Sequence, residues 1–390
     1  MQAHADEAAA WLAGREREML DALAPLVAEN SFTENAEGGR KVGALVRALF
    51  SVEGVEISAR QSERYADHLI FRTRPQLPNR GAVALVGHLD TVFPPGIFEG
   101  FRLEGDLARG PGVLDMKGGL VVIAYALRAL AATGGLDAVV PVRVVVVSDE
   151  EIGSPEGQGV IGAAIAGSSA CLVFEAGRQG DAIITTRKGA GAMTAVFNGR
   201  AAHAGNAHKQ GANAIWAAAR FVDQVQRLTD YDRGVTVNVG RIAGGTSQNT
   251  VPDRAEAQID LRFTARVEGE ALVAAVRAAG EDACRGVDGT RFELQGGIVR
   301  MPLERTEASA GLLAEYGACA RAHGLGGDEA ALIGGGSDAS TSSALGIPSI
   351  DGLGPRGTGF HTKDELIEIA SLVPKAQALA RFLAQREYRG

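Results

Sequence analysis

Cysteine is scarce in this chain: Cys171, Cys284 and Cys319 are the three present in 390 residues. An odd number, widely spaced and without a Cys-x-x-Cys pair, excludes a disulfide framework and a zinc ribbon and leaves reduced thiols. Long apolar runs are also missing. The longest, residues 120–132, is too short to span a bilayer and contains Arg128. The first residues lack a basic segment followed by an apolar one, so the start reads as a helix and not a signal peptide, and a cytoplasmic protein is expected. There is no excess of positive charge. The formal net charge of -8 argues against nucleic acid or an anionic membrane as partner, and an anionic substrate would need a local basic pocket. No repeat or low-complexity tract is visible. No Gly-Lys-Ser/Thr or G-x-G-x-x-G follows a strand, so a nucleotide-binding reading of the glycine-rich Gly334, Gly335 and Gly336 turn has no support.

What is present is an ordinary apolar content of 46%, enough for a sizeable core, and a length that suits two domains or one with an insertion. Amphipathic helices are expected over 7–28 and 41–50. Strands are expected near 69–72 and 82–86, a helix over 117–132, a strand over 142–147, a short helix over 160–166 and a strand over 170–174. This alternation predicts a largely parallel sheet flanked by helices. After Arg187 and Lys188 the rhythm changes to strand 191–199, helix 211–228, strands 234–242 and 253–263, helix 267–284 and strand 290–298. That β-α-β-β-α-β order is a ferredoxin-like module. The first pattern resumes with helix 308–323, strand 347–351 and helix 365–386. The expected fold is therefore α/β: a discontinuous first domain, 1–189 and 300–390, with a compact second domain inserted at 190–299.

The chemistry concentrates at strand ends. Glu150 and Glu151 follow the β-branched run 142–147, which reads as a central strand buried on both faces. Two adjacent carboxylates at a sheet rim repel each other, and a cation or a protonation task must compensate them. Ligands of open α/β sheets bind beyond the carboxyl ends of strands. Other strand ends deliver His88 with Asp90, Glu175 and, later, His361, and Asp115 lies on the loop opening a helix. Histidines and carboxylates without cysteine suit zinc, with manganese or cobalt as substitutes. Two histidines and three carboxylates exceed one tetrahedral site and fill two if one carboxylate bridges. Asp90, two residues beyond His88, is placed to fix that imidazole's tautomer. Taken singly, each has a plainer reading: His88 as a structural histidine, Asp115 as a helix cap, Glu175 as a surface carboxylate. Their joint appearance at sheet ends favours the metal.

These segments carry a family resemblance. Gly87-His88-Leu89-Asp90-Thr91-Val92, Gly110-Pro111-Gly112-Val113-Leu114-Asp115-Met116-Lys117-Gly118-Gly119, Ser148-Asp149-Glu150-Glu151-Ile152-Gly153-Ser154, Ala202-His203-Ala204-Gly205 and Gly334-Gly335-Gly336-Ser337-Asp338 resemble the M20 metallopeptidases. That family includes glutamate carboxypeptidase, acetylornithine deacetylase and succinyl-diaminopimelate desuccinylase. The resemblance runs nearly end to end. Gly-Pro-Gly before Asp115 and the segment Asn30-Ser31-Phe32-Thr33-Glu34-Asn35 point to the glutamate carboxypeptidase branch.

The resemblance implies two zinc ions per subunit bridged by Asp115, with His88 and Glu175 on one and Glu151 and His361 on the other. It makes Glu150 the general base and Asp90 the partner of His88. It also makes 1–189 with 300–390 the catalytic domain and 190–299 a dimerisation and lid domain, whose His203 is an oxyanion donor delivered to the partner subunit of a homodimer. Arg300 resembles the arginine that grips a substrate carboxylate, Asn249 a lid residue, and Gly336 part of a turn that brings backbone donors close to the substrate. The segment after Glu175 lacks the basic residue expected beside a glutamate side chain, and Arg187 and Lys188 are the candidates for that place. The expected activity is amide cleavage next to a free carboxylate, on a small peptide or N-acylamino acid. The alternatives are an N-acyl-amino-acid deacylase of the acetylornithine or succinyl-diaminopimelate type, and a non-catalytic protein that keeps the fold. His68, His208 and His323 match no motif and read as structural.

Overall fold

The computed structural model describes residues 2–388. The chain divides into two compact units: residues 1–185 with 305–332 and 337–390, and residues 186–304 with 333–336.

The first unit is built on a six-stranded mixed sheet. Five of its strands are β1 (Val55–Arg60), β2 (His68–Thr73), β3 (Val83–His88), β4 (Val142–Val147) and β5 (Ala170–Val173), and the sixth is Ser349–Ile350. The spatial order is β1-β2-β4-β3-β5 and then Ser349–Ile350. β1 and β2 run antiparallel, while β4, β3, β5 and Ser349–Ile350 are mutually parallel. Every residue of β3, β4 and β5 is buried, as their β-branched and apolar composition demands of strands covered on both faces. Val83, Leu85, Val142, Val144 and Val146 share one core cluster with the helix Lys117–Thr133. Because successive side chains in a strand alternate in direction, the intervening residues turn to the other face, where Gly157–Ile165 packs on β4.

The helix Lys117–Thr133 is apolar around most of its circumference because Gln2–Leu12, Glu16–Ala28 and Leu372–Gln385 pack on its outer side. Its first turn approaches β5 closely. A Cβ on Gly119 would lie 2.2 Å from the Phe174 carbonyl oxygen, so glycine is required there to hold the helix start against the strand that leads to Glu175.

Two expectations for helices are corrected. The stretch 7–28 is two helices, Gln2–Leu12 and Glu16–Ala28, broken where Gly14 takes φ +77°. Helix 365–386 begins only at Leu372, because Leu366–Glu368 is instead a strand paired with Leu107–Arg109. That strand belongs to a small sheet with Gly357–Thr358 and Arg102–Glu104.

The second unit is a four-stranded antiparallel sheet of β6 (Gly189–Asn198), β7 (Thr236–Gly244), β8 (Arg254–Phe263) and β9 (Arg291–Arg300), in the order β7-β8-β6-β9. Helices Ala214–Gln226 and Arg266–Arg285 pack on it through a separate core that includes Phe197, Phe221 and Phe263. The sequence order β-α-β-β-α-β and this strand order make the module ferredoxin-like. The Ile333–Gly336 turn belongs to this unit although the chain around it belongs to the first.

A buried charge cluster braces the first unit behind Glu175. Asp181 forms ion pairs with Lys375 at 3.1 Å and Arg356 at 2.7 Å, joining the segment after β5 to Leu372–Gln385. Burial alone would raise the Asp181 carboxyl, but the two cations outweigh it and hold it below its ordinary value. Removing one partner of a buried pair strands the other charge. Asp181→Asn is therefore expected to lower stability by about 3–5 kcal/mol in urea unfolding at neutral pH. A depressed carboxylate pKa stabilises above its unfolded value of about 3.9 and is lost as pH falls through the folded value, so the difference between variant and wild type should shrink in acid. A neutral-pH difference below about 1 kcal/mol, the range of exposed pairs, would contradict this role.

Candidate metal centre

Parallel pairing brings the ends of three strands level. His88 is in register with Val147, and Val86 with Val173. The residues that follow therefore leave the sheet at one edge: His88 itself, Glu150 and Glu151 on the single turn Glu150–Ile152, and Glu175 two residues past β5. Asp149 stays buried and accepts the N–H groups of Glu156 and Gly157, which pins the glutamate turn to the start of Gly157–Ile165. His361 arrives differently from the strand end expected for it. It sits at the tip of the hairpin Gly357–Thr358/Leu366–Glu368, which pairing with Leu107–Arg109 carries towards the Asp115 loop. Its φ of +62° is a left-handed conformation that a non-glycine residue holds at a cost of roughly 1–3 kcal/mol.

Asp115 stands between the two histidines. Its Oδ1 lies 3.3 Å from His88 Nε2 and its Oδ2 lies 3.4 Å from His361 Nε2. Beyond the first imidazole is Glu175 Oε1 at 3.7 Å from His88 Nε2, and beyond the second is Glu151 Oε2 at 3.0 Å from His361 Nε2. His88, Asp115 and Glu151 offer one donor atom each within 4.8 Å of one another, and so do His88, Glu150 and Glu175. The donors are imidazole nitrogens and carboxylate oxygens with no thiolate, a set suited to zinc, manganese or cobalt. Glu175 Oε1 is buried and accepts no hydrogen bond from any described residue, as expected of an atom reserved for a cation.

Asp90 organises the rim. His88 Nδ1–H donates to the Asp90 carbonyl oxygen at 3.0 Å, with Asp90 Oδ1 at 3.3 Å, which leaves Nε2 free to face Asp115. The Asp90 carboxylate also accepts the backbone N–H groups of Glu150 and Glu151, both at 3.2 Å, and the Thr33 hydroxyl at 2.7 Å. Asp90 thus ties the His88 strand to the glutamate turn. Thr33 is a site residue that sequence reasoning missed. The only signal was its place in the 30–35 segment.

Burial disfavours charge throughout the cluster. It raises Glu175 well above the usual carboxylate range, with repulsion from Asp115 adding to it, and it raises Glu151. Burial would raise Asp115 as well, but hydrogen bonds from His361 and His88 hold that carboxyl well below its ordinary value. His88 is held well above the ordinary imidazole value because Glu175, Asp115 and Asp90 overcome its burial. Hydrogen bonds to Asp115 and Glu151 push His361 up to about 10. Such a cluster attracts cations, whether protons or divalent ions, and a metal enters by displacing protons.

The remaining predicted residues lie in the second unit and form two pairs. His203 is exposed, and its Nδ1 accepts the N–H groups of Gly205 and Asn206, which places the ring proton on Nε2. It pairs with Thr250, and Ala204 N–H donates to the Asn249 carbonyl oxygen, so Asn249, in the turn just before the short strand Thr250–Val251, lies beside the strand that carries His203. Arg300 and Gly336 form the second pair. A bulge at Val299 re-aims the end of β9, leaving Arg300 buried, and a Cβ on Gly336 would lie 2.5 Å from Arg300 Cδ. Arg187 is buried and donates to the Gly335 carbonyl oxygen at 3.1 Å. Of the histidines read as structural, His68 is buried, with Nδ1 accepting Ser148 N–H, and His323 Nε2 accepts from Arg381.

Comparison with known proteins identifies the family. Residues 185–287 match the peptidase dimerisation domain of the M20 family. The chain is 27% identical over 375 residues to carboxypeptidase G2 of Pseudomonas sp. strain RS-16, covering 94% of this chain and 88% of that protein. It is 30% identical over 333 residues to a putative succinyl-diaminopimelate desuccinylase, DapE, of Mycobacterium tuberculosis, covering 80% of this chain and 84% of that one. In fold it is similar to a dinuclear metal-binding M20 peptidase from Bacillus subtilis, with TM-score 0.70 at 17% identity over 95% of this chain and 97% of the other. Among the described residues no helix is long and apolar enough to cross a membrane. The chain belongs to the M20 family of metallopeptidases and is a metal-dependent peptidase or amidohydrolase.

Proposed function

We propose that this protein is a cytoplasmic dizinc hydrolase that cleaves an amide adjacent to a free carboxylate and releases a C-terminal amino acid. The observation that carries the proposal is the placement of Asp115, with one oxygen towards His88 and the other towards His361. His88, Glu175 and Asp115 would hold one ion, and Glu151, His361 and Asp115 the other. Paired ions supply Lewis acidity at the scissile carbonyl and lower the pKa of attacking water towards 7.

The chain's own residues do the rest. Glu150, half-buried beside His88 and Glu175, takes the proton of the attacking water and returns it to the departing amine nitrogen. Asp90 holds the His88 ring through Nδ1 and fixes the turn that carries Glu150. His203, with its proton on Nε2, donates to the developing oxyanion from the inserted unit of a partner subunit. The match of residues 185–287 to a dimerisation domain supports that homodimer. Arg300 forks the substrate carboxylate with two hydrogen bonds, helped by Asn249 and by backbone donors near Gly336. The likeness to carboxypeptidase G2 over most of both chains supports the carboxypeptidase reading. The 30% identity to a putative desuccinylase favours a second one, removal of an acyl group from an amino acid by the same residues. Free glutamate released from peptide or folate-like substrates selects the first, and turnover of N-acyl diamino acids alone selects the second.

Glu150→Gln is expected to lower kcat by about 10²–10⁴ while two metals per chain remain, measured by steady-state kinetics alongside elemental analysis. Undiminished activity would remove Glu150 as the base. Arg300→Ala should cost about 10-fold or more in kcat/KM for substrates with a free carboxylate and leave their amidated counterparts unchanged. An equal effect on both would remove Arg300 from carboxylate recognition.

A further inference from the structure

The loop that presents Asp115 is held by a side chain outside the donor set. Glu365 is fully buried, and its carboxylate accepts three backbone N–H groups of that loop. Oε1 accepts from Leu114 at 2.9 Å and Asp115 at 3.0 Å, and Oε2 accepts from Gly112 at 3.1 Å. The two segments are about 250 residues apart in sequence. Pairing of Leu366–Glu368 with Leu107–Arg109 brings them together.

The loop itself has little freedom to substitute another partner. Gly112 takes φ +76°, and a Cβ there would lie 2.8 Å from Thr91 Cγ2. Lys117 N–H returns to the Gly112 carbonyl oxygen at 2.8 Å, closing the loop, and the fully buried Lys117 ammonium donates to the Glu29 carbonyl oxygen at 3.2 Å. Three N–H groups converging on one anion form a charge-assisted nest, which is stronger and more directional than bonds to a neutral acceptor.

Placing another buried carboxylate beside Asp115 is electrostatically unfavourable, and the buried Lys117 amine offsets it in part. A neutral amide would fill the same space without that repulsion. What the carboxylate adds is rigidity at the backbone of Asp115. Glu365 also follows His361 by four residues, so one short segment both presents an imidazole to Asp115 Oδ2 and fixes the peptide from which Asp115 projects.

We infer that Glu365 is a positioning residue that clamps the Asp115 loop so that the two carboxylate oxygens diverge towards two separate ions. The inference rests on the reading of Asp115 as the bridge between metals.

The test is zinc binding to metal-stripped protein, measured by competition calorimetry, together with the rise in melting temperature that saturating zinc produces. For Glu365→Ala the affinity of at least one of the two ions should fall by about 10–100-fold, the range for loss of an outer-shell partner. The zinc-induced rise in melting temperature should shrink with it. A merely structural role would lower the stripped and zinc-loaded melting temperatures equally and leave that rise unchanged. Glu365→Gln keeps the shape and turns one acceptor oxygen into a donor, so it serves if the alanine variant does not fold, with an expected loss of about tenfold. Folded variants that take up two zinc ions with wild-type affinity and an unchanged rise overturn the inference and leave the metal reading standing. A wild-type protein that takes up no zinc overturns both.

Discussion

The first unit concentrates negative charge at one edge of a buried sheet. Asp90, Asp115, Glu151 and Glu175 are drawn around His88 and His361, and removing each charge from water costs several kcal/mol unless a cation answers it. Parallel pairing of β3, β4 and β5 makes this unavoidable, because strands ending level deliver their next residues to one place. The imidazoles answer part of the charge, as their raised pKa values show. Glu175 Oε1, 3.7 Å from His88 Nε2, still accepts no hydrogen bond from any described residue. Much of the surrounding architecture serves this edge. Asp90 binds both sides of it, Gly119 sets the helix start behind it, and Asp181 with Lys375 and Arg356 braces the segment beyond Glu175.

The second unit obeys a simpler rule. Its antiparallel sheet buries one face under two helices, and its phenylalanine core is independent of the first. Its notable side chains sit on irregular features: His203 beside a two-residue strand, Arg300 after a bulge, Gly336 on a turn borrowed from a later part of the chain. Irregular backbone is where side chains can be aimed without disturbing a core.

Local patterns carried much of this into view. Strands buried on both faces are legible because nearly every position is apolar, Arg143 and His88 excepted, and the β-α-β-β-α-β order follows from alternating periodicities. The structure brings His88, Asp115, Glu150, Glu151, Glu175 and His361 together, residues that the sequence had singled out at strand ends or, for Asp115, on the loop opening a helix, although His361 reaches the cluster from a hairpin tip and not from a strand end. What escaped depended on contacts between distant segments or on single conformations. The break near Gly14 is one left-handed residue inside an otherwise helical pattern. The stretch 366–368 resembles the start of the last helix until its pairing with Leu107–Arg109 is seen. Glu365 was read as part of that helix for the same reason. Thr33 reaches Asp90 across 57 residues, a contact that no local pattern encodes.

The central claim is that Asp115 bridges two metal ions. Diffraction data collected on zinc-soaked crystals above and below the zinc absorption edge test it most directly. The account predicts two anomalous peaks per chain on either side of the Asp115 carboxylate, one beside His88 and Glu175 and the other beside Glu151 and His361. No peak at this edge of the sheet, or a single peak that Asp115 does not touch, would contradict it.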